Sequence, residues 1–397
     1  MNASSQNAGQ ISTVGLSSLF KNNIRDYAMY FSLMFIFAIF GFLTNGLFLS
    51  PRNLSDLINQ TGYVAVLAIG MTCVLIIVQI DLSVGYVAGF TGALAAMLMN
   101  RGWSTFAVIP CIMFVGVLIG MYQGFLVSFV HVPAFVTTLA GMFMFRGLLS
   151  MVTAGTGTII VRDEVFRSLS NGFVPDPFGG RGLHVLTLLI GIVGAALIIA
   201  SETRARTNML RYRFNVISTP LFLVKITMFA AILLTITWIL ASYKGLPWTA
   251  VIVSVVLLIY NFMLNKTRFG RSIYAIGGNA EAAELSGIKV QKVTFMVFGS
   301  MGMLAALGGI LYTSRLASAT PAAGLGFELD AIASSYIGGV SVRGGVGKVT
   351  NTIVGALVIT SLTNGMNLLG VDISFQYVVK GAIFILAVAF DVLSKKK

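Results

Sequence analysis

Side chains that commonly perform catalysis or bind metals are few in this 397-residue chain and are scattered along it. Cys73 and Cys111 lie within apolar segments, and their spacing matches no metal-binding motif. His131 and His184 lie near the ends of apolar segments, without a cluster of carboxylates or cysteines nearby in the sequence. We interpret the cysteines as packing residues and the histidines as structural residues. Because no set of nucleophile, base and orienting group is evident, we expect no catalytic site, metal or cofactor.

A glycine-rich run at residues 344–349 looks like part of a phosphate-binding loop. Such loops have a glycine five places before their terminal glycine and a hydroxyl residue directly after their lysine. Val342 and Val349 occupy those two places in this chain. The sequence therefore predicts that the chain itself does not bind ATP.

The most specific local pattern lies in a polar loop at residues 265–292. Gly277 and Gly278 are expected to form a turn, after which the Asn279 side chain can cap a helix start. Glu281 would lie in the first turn, where the helix dipole favours a negative charge. Gly287 would supply the left-handed residue that ends the helix. The pattern predicts a helix of about seven residues, roughly 10 Å long.

A helix this short is not stable alone in water. Its small side chains, Ala280, Ala282 and Ala283, give it a surface suited to docking into a groove. An ordinary solvated linker would not require caps at both ends. The segment is therefore predicted to be a docking helix.

Long apolar stretches surround this loop and must position it. Hydrophobic residues make up 57% of the chain and charged residues only 10%, too few charges to cover a soluble globule of this size. Several stretches have about the 20 residues that a helix needs to cross a bilayer: residues 27–48, 62–80, 106–130, 222–240 and 247–264. They lack both the polar faces of soluble helices and the alternation of β-barrel strands.

The predicted fold class is therefore all-α, a polytopic membrane helical bundle of about ten transmembrane helices, within a range of nine to twelve. The segments 84–99 and 329–340 are short for a full span and are expected to be half-helices or re-entrant pieces. We expect residues 1–26 to form a cytoplasmic N-terminal segment and residues 27–394 to form a single transmembrane domain. The 43 glycines suit close helix contacts in lipid.

Basic residues predict the orientation, because they prefer cytoplasmic loops. Positive charges dominate the N-terminal segment, the loops 201–220 and 265–292 and the C-terminal tail: Lys21, Arg25, Arg204, Arg206, Arg211, Arg213, Lys266, Arg268, Arg271, Lys289, Lys292, Lys395, Lys396 and Lys397. Both termini are therefore expected in the cytoplasm, and the loop 155–182 outside. The net charge of +13 is attributed to topology and anionic lipid, and not to nucleic-acid binding, because no basic stripe is interleaved with aromatic residues.

Several motifs together resemble one family of membrane proteins. Glu281-Ala282-Ala283, with Gly287 four places after Ala283, resembles the cytoplasmic coupling loop of binding-protein-dependent ABC importers. The segments 80–85 and 328–347 are similar to those of monosaccharide permeases of the ribose, galactose and xylose type, and the segment 132–147 most resembles the xylose branch. The likeness extends over roughly residues 25–395, although the chain lacks the Ile-x-Leu-Pro ending of the general ABC coupling loop.

This resemblance implies a permease subunit of a bacterial inner membrane that works as a homodimer and is not itself an enzyme. Its implied partners are a cytoplasmic ABC ATPase subunit, an extracytoplasmic sugar-binding protein, a second permease copy and membrane lipid. The residues expected to dock the ATPase are Arg271, Asn279, Glu281, Ala282, Ala283 and Gly287. The substrate stays open among xylose, ribose, galactose, arabinose or a mixed monosaccharide range, with nucleosides as a more distant alternative.

Polar side chains inside apolar spans are expected to face either a sugar path or a neighbouring helix, because lipid offers no hydrogen bonds. The candidates for the substrate path are Gln79, Gln123, Tyr336, Asn364, Asn367 and Gln376. Amides can donate to and accept from sugar hydroxyls, but they can equally hold helices together. Both interpretations stand at this stage.

Acidic residues at span edges leave a second class of function open. Asp81, Glu328 and Asp330 are expected to have structural or gating roles, with Asp81 capping a helix that starts at Leu82 or Ser83. Ion-coupled secondary sugar transporters place such carboxylates at the membrane midplane as relays. An ion-coupled carrier is therefore the alternative to an ATP-driven importer.

Overall fold

The computed structural model describes residues 16–179, 182–212, 214, 216 and 218–394. Within them the chain forms fifteen α-helices: α1 (Leu16–Leu43), α2 (Pro51–Ile76), α3 (Val84–Asn100), α4 (Thr105–Ser128), α5 (Ala134–Thr153), α6 (Glu164–Asn171), α7 (Val185–Arg211), α8 (Thr219–Ala241), α9 (Trp248–Lys266), α10 (Arg268–Gly278), α11 (Ala280–Leu285), α12 (Val290–Leu316), α13 (Phe327–Ile337), α14 (Val349–Leu368) and α15 (Ile373–Ser394). Residues 1–15 of the predicted N-terminal segment, Arg213 and the basic tail 395–397 lie outside the described residues.

Seven of these helices are long and apolar enough to cross a membrane: α2, α4, α5, α7, α8, α9 and α12. Three shorter apolar helices, Met29–Leu43, Val84–Asn100 and Ile373–Ala389, also lie among the described residues. The predicted number of about ten spans stays a prediction. The prediction of an all-α, polytopic membrane bundle is confirmed. The orientation of its termini stays a prediction.

Two of the predicted segments correspond to helices with different bounds. The span expected at residues 62–80 begins earlier, at Pro51, because Ser50 caps α2 by accepting the Asn53 N–H at 3.3 Å and proline suits the first helical position. The short piece expected at residues 329–340 is α13, a helix of 11 residues. At about 1.5 Å per residue, α13 spans only half of a bilayer.

The core lies around α12, which packs against α2, α3 and α4. Glycines permit its close approach to α4: a side chain at Gly116 would meet the backbone oxygen of Gly302, and one at Gly302 would meet that of Gly116. Helices in lipid associate through such packing, because lipid provides no hydrophobic driving force between them. The fully buried side chains of Met301, Phe298 and Ile69 belong to the same core.

A short two-stranded ribbon and α6 lie beside the C-terminal end of α12. Strand β1 (Ile159–Ile160) pairs antiparallel with β2 (Ser318–Ala319), with Ile159 opposite Ala319. Ser314 of α12 holds α6, because its hydroxyl donates to the Phe166 oxygen at 2.7 Å and accepts the Ser170 N–H at 3.0 Å. The predicted external loop 155–182 is therefore ordered where the structure describes it.

The described residues divide into two compact units. One comprises residues 29–173 and 247–394 and contains the core around α12; the other comprises residues 174–246 and the described start of α1. In the second unit α7 packs against α8. His184 caps α7 by accepting the Thr187 N–H at 3.3 Å, and Lys225 pairs with Glu202 at 2.8 Å.

Candidate coupling segment and transport path

Two short helices, α10 and α11, occupy the polar loop that carries the docking motif. Thr267 starts α10 by accepting the Gly270 N–H at 3.1 Å, and Asn279 starts α11 by accepting the Ala282 N–H at 2.9 Å. Gly287, with φ of +83°, follows α11, and the Ile288 N–H donates to the Ala283 oxygen at 3.0 Å. This is the hydrogen bond that closes a helix with a left-handed terminal residue. The predicted caps at both ends of α11 are present. We name residues 268–287 the coupling segment.

The turn predicted at Gly277 and Gly278 is wrong, because both residues belong to α10. The break between the two helices lies at Asn279, whose φ of −161° and ψ of 107° are extended. Gly277 is needed for a different reason: a side chain there would collide with the backbone oxygen of Ile76. The glycine therefore serves close packing of α10 and not a turn.

The coupling segment contacts two parts of the membrane region through α10. Gly345, in the loop between α13 and α14, donates its N–H to the Ile76 oxygen at the end of α2, at 2.9 Å. Tyr274 donates its hydroxyl hydrogen to the Gly347 oxygen of the same loop at 2.7 Å. Gly277 therefore fits against the junction at which the end of α2 meets the loop after α13. A displacement of α10 must act on both.

Sequence reasoning did not identify this junction. The available signal was the run of glycines at residues 344–347, of which Gly344 and Gly345 take positive φ values of 77° and 69°. Residues with side chains rarely adopt that conformation. The run resembles a phosphate loop and belongs to the family resemblance of segment 328–347, but neither likeness predicts its observed role, which is to form a tight loop against α2 and α10.

The predicted docking residues differ in their exposure. Arg271, Asn279, Glu281, Ala282 and Gly287 are exposed. Ala283 is buried inside the chain, with 4% of its surface exposed. Leu285, which the sequence did not single out, is 90% exposed on α11. A large apolar residue at the end of the alanine- and glutamate-rich helix 280–285 is the sequence signal that could have identified Leu285.

Four of the six substrate-path candidates have hydrogen-bond partners on other elements. Gln123 of α4 donates to the Ser83 hydroxyl at 2.7 Å. Asn364 of α14 accepts from the Asn53 amide of α2 at 2.9 Å, and Gln376 of α15 donates to Asn367 of α14 at 2.8 Å. These four amides connect elements of the bundle, which agrees with the interpretation that such amides hold helices together.

The remaining two candidates are more open. Gln79 is half-buried in the irregular segment between α2 and α3, where Val78 has a positive φ of 60°. Tyr336, near the end of α13, is also half-buried, and its ring lies 6.0 Å from that of Phe384 in α15. Both residues therefore lie at interrupted helices, where non-helical backbone at membrane depth lines a cavity or is covered by protein.

The acidic candidates occupy the starts of the two helices that follow breaks. Asp81 is 3% exposed and accepts from the Ser83 N–H at 2.9 Å and the Ser83 hydroxyl at 2.7 Å. The helix expected to start at Leu82 or Ser83 begins at Val84, so that Ser83 is its N-cap residue and Asp81 stabilises the turn before it. Asp330 of α13 pairs with Lys380 of α15 at 3.0 Å. Glu328 is buried beside Gly85, and its Oε2 has no partner among the described residues.

Outside the helices, hydrogen bonds stabilise one carboxylate of the loop between α14 and α15. The Ser374 N–H donates to Asp372 at 2.8 Å and holds the pKa of that carboxyl below its usual value. In the part of the chain that the structure describes, no three His, Cys, Asp or Glu side chains are grouped so that they could hold a metal ion.

Comparison with known proteins identifies relatives over almost the whole chain. The family model described as the permease component of the branched-chain amino acid transport system matches residues 53–388. The xylose transport system permease protein XylH of Escherichia coli K12 is 37% identical over 384 residues, which is 96% of this chain and 95% of the relative. XylH of Haemophilus influenzae is 38% identical over 94% of this chain and 98% of its own length.

The ribose import permease protein RbsC of Escherichia coli K12 is more distant, with 33% identity over 91% of each chain. No solved structure matches the chain.

Proposed function

Because the chain belongs to the family of permease components described for branched-chain amino acid transport systems, we propose that it is the membrane subunit of an ATP-driven, binding-protein-dependent importer of monosaccharides. Similarity to xylose and ribose permeases supports a pentose, or a mixed pentose and hexose range, as the substrate. The subunit carries out no reaction of its own, and ATP is hydrolysed by a separate ATPase partner.

The coupling segment is the part of this chain that docks the cytoplasmic ATPase. The single observation that supports this most is the exposed face of α11, where Leu285 is 90% exposed beside Glu281 and Ala282. A six-residue helix does not persist in water on its own propensity, and an open leucine on it gains free energy when a partner covers it. Arg271, Asn279 and Gly287 complete the docking surface. Ala283, which is buried inside the chain, lies on the opposite face of α11.

Motion of the ATPase reaches the membrane region through α10. Gly277 and Tyr274 contact the junction formed by Ile76 of α2 and the loop 338–348. That loop follows α13, the half-length helix that carries Asp330 and Tyr336. Coupling between two sites requires an element that can adopt two arrangements. Binding at each site must favour one of these arrangements over the other. We assign that role to α10 with the junction beneath it.

The sugar path runs along the interrupted helices. Gln79 and Tyr336 are its polar contacts, while Gln123, Asn364, Asn367 and Gln376 hold the surrounding helices in register. Asp81, Glu328 and Asp330 stabilise the starts of α3 and α13 and serve as structural or gating residues. The structural role of the four amides follows from their hydrogen-bond partners on other elements, and that of Asp81 and Asp330 from their bonds to Ser83 and Lys380.

The assembled transporter contains two copies of this permease, two ATPase subunits and an extracytoplasmic sugar-binding protein. It resides in the inner membrane of a bacterium, with both termini and the coupling segment in the cytoplasm. The positive charges of the loops near α7 to α10 and of the C-terminal tail face anionic lipid on that side.

Uptake of labelled sugar into proteoliposomes tests this function. Vesicles that contain the permease, its ATPase and its binding protein should accumulate xylose or ribose only when ATP is supplied on the ATPase side. Permease alone under a proton or sodium gradient serves as the comparison. Uptake by the permease alone would support the ion-coupled carrier and overturn the proposal.

A further inference from the structure

Three aromatic rings meet where α2, α12 and α13 converge. The ring of Tyr63 lies 5.2 Å from that of Tyr312 and 4.7 Å from that of Phe327, and the rings of Tyr312 and Phe327 are 4.8 Å apart. Each pair is tilted or edge-to-face, the arrangements that aromatic rings prefer. The three rings therefore form one packed group inside an otherwise aliphatic bundle.

An ion pair adjoins the rings. Asp330 follows Phe327 by three residues, which places both on the same side of α13. Lys380 of α15 donates to both carboxylate oxygens of Asp330, at 3.0 and 3.1 Å. The Asp330 carboxylate also lies within electrostatic range of Tyr63. We name Tyr63, Tyr312, Phe327, Asp330 and Lys380 the tyrosine and ion-pair cluster.

The side chains of the cluster are only partly buried. The side chains of Lys380 and Asp330 retain 21% and 14% of their exposure, and the two tyrosines are half-buried. The structure gives neither tyrosine hydroxyl a hydrogen-bond partner among the residues it describes. Polar groups open to lipid are costly and rare, and ionisable residues within the membrane usually face a water-filled cavity or the bundle interior. The open side of the cluster is therefore expected to face the bundle interior or a water-filled path, and not lipid.

The chemistry of this group fits a neutral sugar better than an ion. The charges of Asp330 and Lys380 balance each other. Arg315 also lies within electrostatic range of both tyrosines, and Asp56 opposes its charge, so the group carries no large excess of charge with which to attract an ion. A carboxylate accepts hydrogen bonds, an ammonium donates them, and a tyrosine hydroxyl does both. Small-molecule sites combine aromatic walls with a few polar groups in this way. The apolar C–H face of a sugar ring can lie on the tyrosine rings while its hydroxyls reach the ion pair.

We propose that the tyrosine and ion-pair cluster contacts the monosaccharide during transport and contributes to the choice among sugars. This inference rests on the proposed function and adds to it a site next to Tyr336, whose ring meets Phe384 of α15, four residues after Lys380. The contact is weak, because the hydrogen bonds between Lys380 and Asp330 leave only part of the bonding capacity of these two side chains to sugar hydroxyls. A weak contact suits a path from which the sugar must leave.

Sugar selectivity of tyrosine variants tests the proposal. Tyr63→Leu and Tyr312→Leu should change the ratio of xylose to ribose uptake by roughly 2- to 12-fold, the range that one aromatic contact supplies. Tyr63→Phe keeps the ring and should change the ratio less than Tyr63→Leu. Phe295→Leu is the matched control, since it removes a ring of α12 that packs elsewhere, 5.8 Å from Phe129. All variants are assayed with the ATPase and binding protein in proteoliposomes.

A second measurement does not depend on the folding of any variant. The wild-type transporter is irradiated with a diazirine derivative of xylose, and labelled peptides are identified by mass spectrometry. Labelling of α2 or α12 at the cluster, prevented by excess xylose, is the expected result. If wild-type vesicles show no ATP-driven sugar uptake, the proposed function fails. If they transport sugar but Tyr63→Leu and Phe295→Leu have equal selectivity and the cluster stays unlabelled, only this inference fails.

Discussion

Single residues of the coupling segment are constrained by backbone conformation and by close packing in different ways. Gly287 has a positive φ of 83° and open space around it, so a side chain there would meet conformational strain and no collision. Gly277 has an ordinary helical conformation but no room for a side chain. Substitutions of Gly287 and Gly277 therefore test backbone strain and close packing separately.

Gly287→Val should weaken the docking of the ATPase. A β-branched residue in the left-handed region costs about 1 to 3 kcal/mol, which is enough to change the end of α11. Copurification of the ATPase with the permease in detergent should fall, while the amount of permease in the membrane stays normal. Gly287→Asn is the matched control, because asparagine tolerates this conformation. Equal ATPase recovery with valine and asparagine would exclude the strain argument.

Asp81 offers a test of capping against charge. Asp81→Asn keeps the oxygen that accepts from Ser83, so assembly and transport should persist. Asp81→Leu leaves the Ser83 donors unpaired in a buried site and should lower the free energy of unfolding by about 1 to 3 kcal/mol. Thermal unfolding in detergent and sugar uptake are measured for both variants. Loss of transport by an assembled Asp81→Asn protein would show that the charge itself is required.

Among the helices, interactions between residues close in sequence could be predicted, whereas contacts between residues distant in sequence could not. The caps of α11 depend on neighbours within a few residues, so Asn279 and Gly287 could be identified from the sequence. The partner of Asn364 is Asn53, 311 positions away, and no local pattern reveals it. The contact between Gly277 and Ile76 was missed for the same reason, and the glycine was assigned to a turn instead.

The two faces of α11 should react differently with the ATPase. A cysteine at Leu285 should form a disulfide cross-link with a cysteine on the ATPase surface, because the side chain is 90% exposed. A cysteine at Ala283, which is 4% exposed, should not cross-link and serves as the matched control. Cross-linking is followed by electrophoresis of membranes without reductant. Cross-links at both positions, or at neither, would contradict the assignment of the exposed face as the docking surface.

The apolar stretches predicted the membrane bundle, because the bilayer imposes both a length and an apolar composition on a spanning helix. Helix boundaries were less predictable: polar residues such as Asn59 and Gln60 of α2 are buried by other helices, so the apolar pattern began too late, at residue 62. The half-length of α13 could be anticipated from its short apolar stretch, whereas its ion pair with Lys380 could not.

Orientation in the membrane can be tested with a thiol reagent that does not cross bilayers. In a variant without Cys73 and Cys111, a cysteine at exposed Glu164 of α6 should react in intact spheroplasts. A cysteine at exposed Glu281 of α11 should react only after the membrane is permeabilised. The basic loops predict this result, because they favour the cytoplasm. The reverse labelling pattern would show that the chain has the opposite orientation.

The proposed function requires ATP hydrolysis to be coupled to sugar uptake through the contact of α10 with the end of α2. It is tested most directly by measuring ATP hydrolysis and sugar uptake in the same proteoliposomes for Gly277→Ala and Gly278→Ala. The first substitution collides with Ile76, whereas the second meets no atom within 4 Å. Gly277→Ala should keep ATP hydrolysis while uptake falls by about tenfold or more, as expected when about 1.4 kcal/mol of coupling is lost, and Gly278→Ala should retain both. Unchanged uptake in an assembled Gly277→Ala transporter would contradict the account.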